Sequence, residues 1–129
     1  MRGREVQEFE TKLRRLFDEI DAELEDRWGG NYPLHPARPR QGRSSNPETD
    51  GLFNVGASFS TGYGSEYGRG YVIETRMVTL TTVDGDTRER IRSYVARRVT
   101  ELLSQYFPDR DLDVVRDGDL YKVTGDLSL

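Results

Sequence analysis

The chain has 129 residues, 34% of them apolar and 33% charged, with one histidine, no cysteine and a net charge of −4. This length fits one domain, residues 1–129, with a core of its own. The missing cysteines exclude a disulfide framework and thiolate chemistry, and they fit a reducing, cytoplasmic setting.

The N-terminal MRGREVQEFE lacks the apolar centre of a signal peptide, and no run approaches the roughly 18 apolar residues of a membrane span. Charge is unevenly spread. Residues 1–30 carry six positive and nine negative side chains, and residues 109–129 carry three and six. Residues 31–46 carry Arg38, Arg40 and Arg43 and no acid. The molecule as a whole therefore does not favour a polyanion partner, and the arginine segment is the local exception.

The first element is a long helix over residues 4–28. Val6, Phe9, Leu13, Leu16, Phe17, Ile20, Leu24 and Trp28 recur at three- and four-residue spacing and form one apolar stripe. Glu8–Lys12 and Glu10–Arg14 support the polar face at i,i+4, and Gly29-Gly30 stops the helix. Residues 31–51 hold four of the five prolines and show no periodicity, so they read as a long loop within the domain.

Two strand-like runs follow. In residues 52–60, Phe53, Val55, Ala57 and Phe59 point one way, and Asn54, Gly56, Ser58 and Ser60 the other. Residues 70–82 are rich in β-branched and aromatic side chains, with an imperfect alternation that suggests a bulge or two-sided burial. The stretch GYGSEYGRG between them is expected to be a mobile hairpin connection.

VDGDTRERI opens a second helix, with Asp86 and Glu89 read as its capping box. Its stripe is Ile91, Val95, Val99, Leu102, Leu103 and Tyr106, and Pro108 marks its end. Asp117-Gly118 predicts a closing hairpin. The expected fold is α+β: a two-layer sandwich of order αββαββ, with a four-stranded, mainly antiparallel sheet and two helices on one face. That is the order of a split β-α-β fold with its first strand moved to the end.

Chemistry has few carriers. Zinc lacks its nitrogen and sulfur ligands, and Asp109, Asp111 and Asp113 do not continue into a calcium loop. No metal or cofactor is expected. Gly62-Tyr63-Gly64 with Gly68 is one residue longer than the dinucleotide fingerprint and leads into a strand rather than a helix. Arg69-Gly70-Tyr71 matches the opening of the RNA-recognition motif, but Val72 and Ile73 break the pattern that follows. Residues 33–38 spell P-x-x-P-x-R, a polyproline ligand pattern that also serves simply to stiffen a loop.

The reading is a non-enzymatic protein-interaction or structural module, self-association included. A composite site is expected where the arginine loop meets the glycine loop. Arg38, Arg40, Arg43 and Arg69 would bind an anionic group there, and Tyr63, Tyr67 and Tyr71 would stack. Two alternatives use the same region. One is single-stranded nucleic acid or another phosphate-bearing ligand, which the net charge does not favour. The other is an enzyme acting on an anionic small molecule with His35 as acid/base.

Overall fold

A computed structural model describes residues 3–40 and 51–127. The elements are α1 (Arg4–Trp28), β1 (Phe53–Ser60), β2 (Gly70–Met77), α2 (Gly85–Tyr106), β3 (Leu112–Asp117) and β4 (Leu120–Gly125). The four strands form one antiparallel sheet of order β1-β2-β4-β3. This matches the split β-α-β sheet order after the permutation expected above.

Period and burial agree along α1. Phe9, Leu13, Leu16, Phe17, Ile20 and Leu24 are buried, most charged positions between them face outward, and Asp21 is the buried exception. In α2 the buried set is Ile91, Val95, Ala96, Val99, Leu102 and Leu103, with Tyr106 half-buried. Both helices pack on the sheet face that carries Phe53, Val55, Tyr71, Ile73 and Val123. Each fully buried large side chain stabilises this layer by about 1.5–3 kcal/mol.

Local details depart from the sequence expectations. The cap of α2 is Asp84, not Asp86. Its carboxylate accepts from the Thr87 amide at 2.8 Å and from the Thr87 hydroxyl at 3.0 Å, so the helix begins two residues earlier. β2 ends at Met77, short of residue 82, and its ladder with β1 runs through eight consecutive pairs without a bulge. The broken alternation is two-sided burial instead, because Val72 is half-covered on the face away from the helices. In the closing hairpin the two turn residues are Gly118 and Asp119, one position later than expected, with Gly118 at φ +66°.

Glu23 joins the two helices. Arg98 donates to both of its carboxylate oxygens at 2.8 and 2.9 Å, and the Tyr94 hydroxyl donates at 2.7 Å. The Arg98 guanidinium first, and Tyr94 after it, hold the Glu23 carboxyl below its usual range against the opposing effect of burial. A depressed folded-state pKa contributes stability above the unfolded value, and that stability is lost as pH falls through the folded one. Glu23→Gln is therefore expected to cost about 1 kcal/mol at neutral pH and almost nothing in acid. Urea midpoints at pH 7 and pH 3 measure both.

Candidate functional site

Between β1 and β2 the chain folds residues 61–69 into a structured loop. Gly62, Gly64 and Gly68 take φ of +73°, +80° and +72°, a region L side chains avoid. The Ser65 amide donates to the Gly62 carbonyl at 2.8 Å, and the Ser60 hydroxyl accepts from the Gly62 amide at 3.2 Å. The two limbs touch at Gly62, where a Cβ would overlap the Gly68 carbonyl.

The loop lies across the outer face of the sheet, and one side chain of that face fastens it. Lys122, on β4 opposite Val72, extends beneath the loop. Its Nζ donates to the Gly68 carbonyl at 2.7 Å, to the Ser65 hydroxyl at 3.0 Å, and pairs with Asp117 Oδ2 at 2.7 Å. Only 3% of this side chain is exposed. The three ammonium protons thus meet three acceptors, which is what allows a charge to be buried. The Ser65 hydroxyl donates in turn to Asp117 and accepts from the Tyr67 amide at 3.1 Å. Gly70 leaves room for the lysine stem, since a Cβ there would collide with Lys122 Cγ. The Lys122 ammonium, and after it the Ser65 hydroxyl, hold the Asp117 carboxyl below the ordinary range. A serine beside a lysine is also a nucleophile arrangement, but there the lysine must be free to take a proton. Here Asp117 engages it, and the cluster acts as a clamp.

The loop is therefore held in place rather than left as a loose connection. It presents Tyr63, which is fully exposed, with Tyr67 and Arg69, both also exposed. Tyr71 does not join them. It faces the helices, donates its hydroxyl to Glu10 at 2.9 Å and packs its ring against Phe9 at 5.5 Å.

Arg38 has another task. Its Nε donates to the Gly51 carbonyl at 2.9 Å and its Nη2 to the Phe53 carbonyl at 3.0 Å, so it anchors the entry to β1. Arg40 is exposed, and Arg43 lies outside the described residues. His35 sits near the same strand entry. Its amide donates to the Val78 carbonyl, and its Nδ1 accepts from the Ala37 amide at 3.1 Å.

These groups stand at the Phe53–Met77 end of the hairpin, while the glycine loop stands at the Ser60–Gly70 end. An eight-residue strand separates the ends by about 25 Å. The described residues thus do not assemble the composite site. Arg38, Arg40 and His35 lie at one end, Tyr63, Tyr67 and Arg69 at the other, and Tyr71 on the opposite face.

Lys122, Ser65 and Asp117 were not legible as a site. In L-Y-K-V-T the lysine alternates outward, which reads as a solvated position. Its cover comes from a segment 54 residues away in the chain, at Gly68. On the helices, Arg27 and Arg97 stack on Tyr94 at 4.7 and 5.3 Å. Among the described residues no group of three or more His, Cys, Asp or Glu side chains could hold a metal ion, and no helix is long and apolar enough to cross a membrane.

Fold and site together define a two-layer α+β domain that displays a clamped glycine-tyrosine loop. The chain belongs to a family described only as uncharacterised protein, whose model matches residues 4–125. It is 40% identical over 118 residues to a protein of Borreliella burgdorferi (strain ATCC 35210), itself called uncharacterized, with 92% of each chain covered. No solved structure matches.

Proposed function

We propose that this protein is a non-enzymatic, cytoplasmic protein-interaction module whose contact element is the loop 61–69. The carrying observation is the wholly exposed Tyr63 on a backbone held by the buried Lys122. Tyrosine, glycine and serine are the residues of binding loops, because tyrosine brings a large amphipathic contact at low entropy cost while its small neighbours adapt. Tyrosine and arginine are also the residues that most often dominate interface energies. A loop ordered before binding loses less conformational freedom when it binds. The absence of cysteine supports the reducing compartment.

The test compares affinity capture from the protein's own cells by the wild-type chain and by Tyr63→Ser/Tyr67→Ser/Arg69→Ser, quantified by mass spectrometry. All three side chains are exposed, so the fold is expected to survive, which circular dichroism checks. A partner held by the wild type and reduced at least about tenfold with the variant is the expected result. Equal capture by both chains would remove the loop from the interface.

A further inference from the structure

We infer that the edge of β1, which no other described strand covers, is the interface of a two-fold symmetric homodimer, centred on Ala57, in which two sheets join through antiparallel β1 strands. This is independent of the loop reading. The sheet has two edges, β1 and β3. Natural sheets guard their edges with charges, prolines or bulges, since an open edge recruits another strand. β3 is guarded by Asp113, Arg116 and Asp117. β1, FNVGASFS, has no charged residue and no proline, and its ladder has no bulge.

Backbone partners show which part of β1 is open. The Phe53 amide donates to Glu25 Oε1 at 2.9 Å, and its carbonyl accepts from Arg38 at 3.0 Å, so its polar groups point away from β2 and are capped. Alternation along an antiparallel strand then turns the amides and carbonyls of Val55, Ala57 and Phe59 outward too. A dyad at Ala57 pairs Val55 with Phe59 of the other copy, Ala57 with Ala57, and Phe59 with Val55. Each pair exchanges two N–H···O bonds. All three outward residues are thereby used, and the capped Phe53 stays outside the joint.

Phe59, on the same strand, is 49% exposed in the single chain and stands at this joint. It lines a groove of about 310 Å³ between α1 and β1, together with Glu10 and Arg14. α1 runs antiparallel to β1, because Glu25 reaches Phe53 while Glu10 reaches Tyr71, the partner of Phe59. Arg14 and Phe17 of α1 line this groove beside Ala57.

Light scattering across concentration tests this on the full chain, with hydrogen exchange read at single amides. The expected result is twice the 14.8 kDa chain mass, with slow exchange at Val55, Ala57 and Phe59. Ala57→Pro removes an outward amide without breaking the β1–β2 ladder, and Phe59→Lys adds the missing edge charge. Each is expected to raise the dissociation constant at least about a hundredfold while leaving circular dichroism unchanged. If Ala57→Pro misfolds, Phe59→Lys carries the test. A wild-type monomer at all concentrations, or a dimer with fast exchange at these amides, would overturn the inference.

Discussion

Lys122→Met is expected to free the glycine loop from the sheet and to destabilise the protein by about 2 kcal/mol. Breaking a buried ion pair by removing one partner typically costs about 3–5 kcal/mol. The lower figure applies because Asp117 keeps a quarter of its side chain in water and stays hydrated once the lysine is gone. Methionine preserves most of the stem volume, so the change isolates the ammonium. The Gly68 carbonyl and the Ser65 hydroxyl lose their donor, and amide exchange at Ser65, Tyr67 and Gly68 should accelerate well beyond the global effect.

Acid should weaken the clamp in the wild type. Asp117 has a folded pKa below its unfolded one, so its ion pair with Lys122 is complete above the ordinary carboxylate range and is lost as pH falls through the folded value, while Lys122 still donates to Gly68 and Ser65. The methionine variant should lack that acid-side change in loop exchange. A loop equally protected in both proteins at pH 7 would show that Lys122 is not the fastener.

The second large effect is expected from Gly62→Ala. The residue takes φ +73°, which costs an L side chain about 1–2 kcal/mol. The new methyl would also overlap the carbonyl of Gly68, which is backbone and cannot swing aside as a flexible side chain can. Separating the limbs carries that carbonyl away from Lys122, because it is the same oxygen that accepts from Nζ. The variant should therefore resemble Lys122→Met in loop exchange while retaining the helices and core. Combined, the two changes should cost less than their sum, since the second acts on a clamp already open. Additive costs in urea unfolding would separate the glycine contact from the lysine clamp.

Much of the architecture could be read from the residues alone. The α1 stripe, the Phe53–Phe59 alternation and the α2 stripe each repeat a period that only one secondary structure satisfies. Their order left a two-layer α+β sheet as the economical solution. Boundaries were less legible. Asp84 and Asp86 are equivalent cap candidates locally, and only Thr87, in reach of Asp84, decides between them.

The site divided along the same line. The exposed loop residues Tyr63, Tyr67 and Arg69 were visible as candidates because they are short-range features of one segment. Their expected companions share only composition with them. Arg38 instead anchors the start of β1, and Tyr71 faces the helices, because strand parity and hairpin length put these groups on other surfaces. Lys122 had no local signal at all: a lysine on the outer side of a strand looks solvated until a distant loop covers it. Periodicity within this sequence therefore determined the elements and their layers. The clamp, the capped and open parts of the β1 edge, and the separation of the two loops were decided by tertiary structure, because burial and hydrogen-bond partnership depend on segments far apart in the chain.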